Sequence, residues 1–325
     1  MPNFEEKFSQ AFSELTGQGP KSRQRSSSRV LVGVSGGVDS MVLLSCLWRL
    51  GKKTVVAHFN HRLRGRESGQ DQRFVQGICQ KWELDFESEA ADVRAFAKIQ
   101  KQSLEACARD LRYNFLVRAA KKWRCSAILT AHHADDQVET VLHNLLRGSG
   151  TAGLSGMKPA SLVQGRTLLR PLLGIWRREI LAFAEEKAIP FREDSSNQLL
   201  FATRNRLRHS LLPMLEEVYG RSIKPSLWRA AEILREEDAF LEAYTAEILQ
   251  DHHDKLSVRI VAQLHPALQR RVLLAWLKSH DVKNLSFELI EQARNLAQGK
   301  GARMNLADSR QLCRRAGQLF IRPIP

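Results

Sequence analysis

Apolar residues follow two rhythms along this chain. Between residues 29 and 148, short apolar runs alternate with longer amphipathic stretches. RVLVGVS (29–35) is a continuous β-branched run, as in a strand buried on both faces, and TVVAHFN (54–60) and SAILTAHH (126–133) read as further strands. LDFESEA (84–90) reads as a shorter strand. The segments between them have helical spacing. MVLLSCLWRLG stops at Gly51, QDQRFVQGICQKWE covers 70–83, and ADDQVETVLHNLLRG closes at Gly148. SLEACARDLRYNFLVRAAKKW (103–123) is a long helix with Ser103 as its N-cap. Strand and helix in alternation predict an α/β fold, a doubly wound parallel sheet with helices on both faces. Ligands then bind at the C-terminal ends of the strands. SGGVDS (35–40), HFNH (58–61) and AHHADD (131–136) all fall at such ends.

After about residue 150 the rhythm becomes helical, at 176–189, 204–220 and 223–250, and residues 251–325 form a smaller mixed unit. The expected organisation is an N-terminal helix and linker (1–28), a catalytic domain (29–215), and a smaller, mainly helical C-terminal region (216–325).

Charge adds a partner. Fifty Lys and Arg against 35 Asp and Glu give +15, which suits a polyanion. No run of 18 apolar residues predicts a membrane helix, and Glu5 and Glu6 argue against a secretory signal. Five scattered cysteines without a C-x-x-C pair suggest reduced thiols and a cytoplasmic location.

Chemistry concentrates at the strand ends. In SGGVDS, Gly36 and Gly37 permit unusual dihedrals and close approach to a ligand. Amides at the helix start that follows, from Val38 on, make an anion site, and Ser35 and Ser40 add hydroxyls. Asp39 beside phosphate makes sense if Mg²⁺ lies between them. The loop is neither G-x-x-x-x-G-K-[ST] nor G-x-G-x-x-G. A capped Gly-rich turn is the plain structural alternative. Asp136 and Glu139 are three apart and share a helix face, which suits an amine, although acids also favour a helix start for the dipole. Arg109 and Arg112 share another face and suit phosphate or carboxylate. His132, His133, Asp135 and Asp136 invite a zinc reading, but no further ligand cluster has tight spacing. Basic clusters at Arg62, Arg64 and Arg66, at Arg177 and Arg178, and at Arg204, Arg206 and Arg208 are candidates for an RNA footprint, some of them plain solvated surface.

V-G-V-S-G-G-V-D-S-M-V-L-L resembles the loop of the ATP pyrophosphatase (PP-loop) superfamily. HFNHRLRG (58–65), EACARDLRYNFL (105–116), AHHADDQVETVLHNLLRGSGTAGLSGM (131–157), REDSSN (192–197) and TRNRLRHSLLPML (203–215) resemble segments of the tRNA(Ile)-lysidine synthase family. The resemblance is specific over residues 30–215 and loose beyond. It implies ATP, free L-lysine and CAU-anticodon tRNA(Ile) as reactants. The wobble cytidine is adenylated at its C2 oxygen and then attacked by lysine, giving lysidine. It further implies a nucleotide site of Ser35, Gly36, Gly37, Val38, Asp39, Ser40, His58, Asn60 and His61. Asp136 and Glu139 would read lysine, Asp39 and Arg112 would join them in catalysis, and Arg64, Arg204 and Arg208 would meet tRNA. A homodimer is plausible by the same resemblance. Two alternatives stay open: a PP-loop tRNA thiolase, which typically uses paired cysteines absent here, and a non-catalytic tRNA-binding protein on a decayed nucleotide fold. A glutamine-dependent amidotransferase is disfavoured, since no glutaminase-like segment is present.

Overall fold

The alternating first half folds as alternating strands and helices in the computed structural model, which describes residues 3–17, 28–63, 66–192, 203–252, 254–307 and 309–324. In chain order come α1 (Phe4–Thr16), β1 (Val30–Gly33), α2 (Val38–Arg49), β2 (Thr54–Asn60), α3 (Arg66–Lys81), β3 (Asp85–Ala90), α4 (Val93–Gln100), α5 (Leu104–Lys122), β4 (Ala127–Leu129), α6 (Ala134–Leu146), α7 (Thr151–Leu154), β5 (Ala160–Val163), β6 (Arg166–Leu169) and α8 (Arg177–Glu186). The sheet has the order β3-β2-β1-β4-β6-β5. All its pairings are parallel except β5 with β6. The central strands carry no polar face: Leu31, Val32, Val55, Val56, Ile128 and Leu129 are fully buried. Helices lie on both sides, α2, α3 and α8 over one apolar cluster and α5 over another.

The expected strand over 126–133 is only three residues long, because Thr130 to His133 leave the sheet to cap the next helix. Besides the short α7, two elements of this unit were not foreseen. Helix α4 is one. The other is the β5–β6 hairpin, whose turn is Gln164-Gly165 with φ of 48° and 74°. Both turn residues take positive φ, the conformation that matches strand twist, but Gln is a rare choice there.

Helix α1 is part of this core. Asn3 and Glu6 form a capping box, Phe8 and Phe12 are buried, and Phe4 stacks on Phe183 at 4.2 Å. Residues 18–27 of the expected linker lie outside the described residues.

The expected helix over 204–220 divides into α9 (Thr203–Arg206), a π-helical turn (Leu207–Leu211) and α10 (Leu212–Tyr219). The 26-residue α11 (Lys224–Leu249) follows. By backbone contacts the chain forms two units, Met1–Glu232 and Ile233–Pro325. The second contains β7 (Leu256–Ser257), α12 (Val258–Gln263), α13 (Pro266–Ser279), α14 (Phe287–Ala297), β8 (Arg303–Asn305), β9 (Arg310–Arg315) and β10 (Gln318–Pro323). It is mostly helical, as expected, and adds an antiparallel sheet of order β7-β10-β9-β8. Trp276, Leu273, Leu277, Leu312 and Leu319 form its core. All five cysteines are free and buried. Among the described residues no helix is long and apolar enough to cross a membrane.

Candidate active site

The loop between β1 and α2 is built by its own serines. Ser40 Oγ accepts from the amides of Ser35 at 3.2 Å and Gly36 at 3.3 Å, and donates to the Gly37 carbonyl at 2.9 Å. Ser35 Oγ accepts from the Gly37 amide at 3.2 Å. The two hydroxyls therefore hold the loop's shape, as in the capped Gly-rich turn that stood as the structural alternative. Of the two glycines only Gly36 has an unusual dihedral, φ 98°; Gly37 is an ordinary N-cap with φ −75°. The Arg192 amide donates to the Gly36 carbonyl at 2.9 Å, so the REDSSN segment starts against this loop. Its residues 193–197, like Arg64, lie outside the described residues.

From β2, buried His58 donates Nδ1–H to the Val34 carbonyl at 2.9 Å. Burial holds its pKa below the usual histidine value. It stays neutral and braces the strand entering the loop. Asn60 Oδ1 accepts from the Arg62 amide at 2.9 Å, where Arg62 turns at φ 51°. His61 packs edge-on against Phe59 at 4.8 Å.

The N-terminus of α6 brings the acids to the loop. His133 is its N-cap: Nδ1 accepts from the Asp136 amide, and Asp136 Oδ2 accepts from the His133 amide. An accepting Nδ1 leaves Nε2 as the ring's N–H donor. That nitrogen lies 3.7 Å from Asp39 Oδ2 and 3.6 Å from Asp136 Oδ2. One imidazole thus stands between the loop acid and the α6 acids. Asp39 Oδ1 is buried and has no hydrogen-bond partner among the described residues. Burial raises the Asp39 pKa, and His133 and then Arg177 work against that rise.

Asp136 and Glu139 share a face, as predicted, and Arg208 holds both. Its Nε donates to Glu139 Oε1 at 2.5 Å and its Nη2 to Asp136 Oδ1 at 3.1 Å. Arg208 belongs to the π-helical turn, a local underwinding common at functional sites. Expected at an RNA surface, it lies instead on the acids. Burial raises the pKa of Glu139 despite Arg208. Burial also acts to raise Asp136, but His133, His132 and Arg208 outweigh it and hold that carboxyl low. Arg204 Nη2 donates to Thr140 Oγ1 at 2.9 Å, beside the same face. A cavity of about 160 Å³ opens here, lined by Asp135, Glu139, Arg177, Arg208 and Lys224.

Sequence reasoning missed Lys224 and gave Arg177 only a place in the RNA footprint. Arg177 Nε lies 3.9 Å from Asp39 Oδ1, and the Arg177 amide donates to Asp135 Oδ2 at 3.0 Å. Lys224 Nζ donates to Asp135 Oδ1 at 3.1 Å. Lys224 opens α11, where a cation opposes the helix dipole, and that was the available signal. Arg112 is set apart from the acids: its guanidinium lies 5.5 Å from the Tyr113 ring, and its charge reaches His132. Arg109, three residues away, also lies against Tyr113 rather than against an acid. Among the described residues no group of three or more His, Cys, Asp or Glu could hold a metal ion, which leaves the zinc reading without support.

A PP-loop domain model matches residues 2–215, and a TilS substrate binding domain model matches residues 256–320. The tRNA(Ile)-lysidine synthase of Geobacter sulfurreducens is 40% identical over 231 residues, 70% of this chain and 48% of that protein. Its counterpart from Chlorobaculum tepidum is 36% identical, with 77% of each chain covered. That from Thermosynechococcus vestitus is 32% identical over 92% of this chain and 88% of that protein. The chain thus spans about half of the first relative and more than three quarters of the other two. Among solved structures, a U34-tRNA thiolase from Methanococcus maripaludis superposes with a TM-score of 0.55 at 19% identity, over 71% of this chain and 80% of that one. At that identity the likeness concerns the fold alone.

Proposed function

The chain belongs to the tRNA(Ile)-lysidine synthase family, and from that premise we propose that it ligates free L-lysine to C2 of the wobble cytidine in CAU-anticodon tRNA(Ile), using ATP. The cytidine O2 attacks the α-phosphorus and pyrophosphate leaves. The lysine ε-amine then attacks C2, AMP leaves, and the amine gives up a proton. The observation that carries this reading is His133 Nε2 between Asp39 and Asp136, which joins a phosphate-type loop to an amine-type acid pair.

Each residue then has a task. Gly36 and the α2 amides face the phosphates, and His58 keeps the loop's entry rigid. The orphaned Asp39 Oδ1 fits a divalent cation, and Asp39 would hold Mg²⁺. When bound, that ion would supply charge neutralisation for the phosphates. Asp136 and Glu139 receive the lysine ammonium in place of Arg208. An amine of pKa about 10.4 must be deprotonated before it attacks. Glu139, held up by burial, is the better proton acceptor of the two, and Asp136, held low, is the better permanent anion.

The test uses ATP, Mg²⁺, labelled lysine and a tRNA(Ile) transcript. Label enters the tRNA, is lost with Asp39→Ala, and does not enter elongator methionine tRNA. ATP-dependent AMP release without lysine label would sink the lysine reading and point to another nucleophile, sulfur first.

A further inference from the structure

A second cavity, about 470 Å³, opens beside α5 in the first unit. It is separate from the acids of α6, and no role assigned above uses it. Arg109, Asp110, Tyr113 and Asn114 line it from α5, and Val163 and Gln164 from the β5–β6 hairpin. Its size falls in the roughly 300–1,000 Å³ range of ligand sites.

Two features call for an anion there. Tyr113 is 6% exposed, and its hydroxyl makes no well-formed hydrogen bond among the described residues, although the Arg112 and Arg170 guanidiniums lie within reach of its oxygen. Guanidiniums only donate, so the buried hydroxyl's own hydrogen still calls for an acceptor. Guanidinium groups also crowd the same ring. Arg109 lies 5.0 Å and Arg112 5.5 Å from its centroid, and buried Arg170 has an unpartnered Nε. Among the described residues none of these three arginines pairs with a carboxylate. Arg170 instead donates to the Lys158 carbonyl and to Ser161 Oγ.

The rest of the lining is not a phosphate site. Asn114 and Gln164 carry amides, already bonded to each other. Asp110 adds a carboxylate acceptor, and Val163 adds an apolar side. Amides and a carboxylate are the groups that read a base edge bearing an exocyclic amine, as in cytosine or adenine. Phosphate at one end and an amino-bearing base at the other make a nucleotide.

We propose that this cavity binds one nucleotide of the RNA substrate, a near neighbour of the base delivered to Asp39 and Asp136, with its phosphate toward Arg109 and Tyr113 and its base toward Asp110 and Asn114. The inference rests on the RNA-modifying reading above. α5 is the physical link, since Arg112 beside this cavity also acts electrostatically on His132 at the acids. Single-stranded loop bases are open to such capture, because they can be splayed from their stack.

The experiment measures binding of a labelled CAU anticodon stem-loop to the full chain, across a salt series. ATP affinity, whose site lies elsewhere, distinguishes a misfolded variant from a filled pocket. Asn114→Trp should weaken RNA binding about tenfold or more, as expected for losing one base contact. Arg109→Ala should lower the slope of log affinity against log salt by about one. Asp110→Asn should reduce the preference for an amino-bearing base at one loop position. Wild-type RNA affinity and salt slope in Asn114→Trp and Arg109→Ala would overturn the pocket and leave the lysidine reading intact. A wild-type chain that binds no tRNA would remove both. Free CMP bound by wild type but not by Asn114→Trp, with equal RNA affinity in the two, would make the cavity a mononucleotide site and overturn the RNA assignment.

Discussion

Arg208 occupies the position that an amine substrate needs, and its replacement is informative. It is 24% exposed at the side chain while Glu139 is 3% exposed, so its loss strands a buried carboxylate. Arg208→Ala should cost about 1–3 kcal/mol, less than the 3–5 of a fully buried pair because Arg208 is partly solvated. Free lysine should then raise the melting temperature of the variant more than that of wild type, since it no longer competes with Arg208. Equal shifts would mean that lysine binds elsewhere. Gly36→Ala tests the loop: at φ 98° a side chain is strained, and its Cβ would lie 3.4 Å from Val75. A stability loss of about 1–2 kcal/mol and weaker ATP binding are expected from titrations of the variant. Two histidines give the molecule an acid limit. Burial lowers the pKa of both His58 and His132 from the ordinary histidine value of about 6.5. The unfolded chain therefore binds protons that the folded chain refuses, and stability falls as pH drops below about 6.5. Each contributes up to about 1.4 kcal/mol per pH unit. Urea midpoints at pH 7.5 and 5.5 should show this, with His58→Gln removing about half of the slope. At this scale the shared face of Asp136 and Glu139 was legible, because spacing on one helix places them, and Asp39 stood out within its own loop. Arg177 and Lys224 were not, since each meets its acid across 40 or more positions of chain, as in the contacts separated by 42 and 89 residues.

Elements show the same division between local and distant causes. Long periodic helices such as α5 and α6 were readable to within a residue or two, with Ser103 capping as expected. The β5–β6 hairpin was not readable, because its strands are four residues each and Leu162 is an exposed apolar residue on the edge strand. The π-helical turn was invisible too, since one extra residue in a helix leaves no mark on apolar spacing over so short a stretch. Helix α1 is the element whose sequence understates its role. Two buried phenylalanines and a stack on Phe183 tie it to α8 and α2. Phe8, 1% exposed, should therefore behave as core: Phe8→Ala should cost about 3–5 kcal/mol in chemical denaturation. A loss below 1 kcal/mol would show that α1 is an appendage after all.

At the scale of the molecule, alternation predicted a parallel sheet but could not order its strands. The order β3-β2-β1-β4-β6-β5 places the SGGVDS loop and the start of α6 after neighbouring strands, β1 and β4. That adjacency is why Asp39 and Asp136 can meet at His133. The net charge of +15 is a property of the same scale and makes the last prediction. Phosphate contacts release counterions, so log affinity for tRNA should fall linearly with log salt, by about 0.9 per neutralised duplex phosphate and about 0.7 on single strands. If the charge acts only through the RNA backbone, every tRNA shows the same slope and the same affinity at a given salt. If base contacts near the active site add selection, the slopes of tRNA(Ile) and elongator methionine tRNA stay alike while their affinities separate. We expect the second pattern, because acids line one cavity beside arginines, and amides and an aromatic ring line the other. Parallel salt plots offset from one another would support it. Coincident plots would assign selection to the chemical step, and flat plots would remove the polyanion reading altogether.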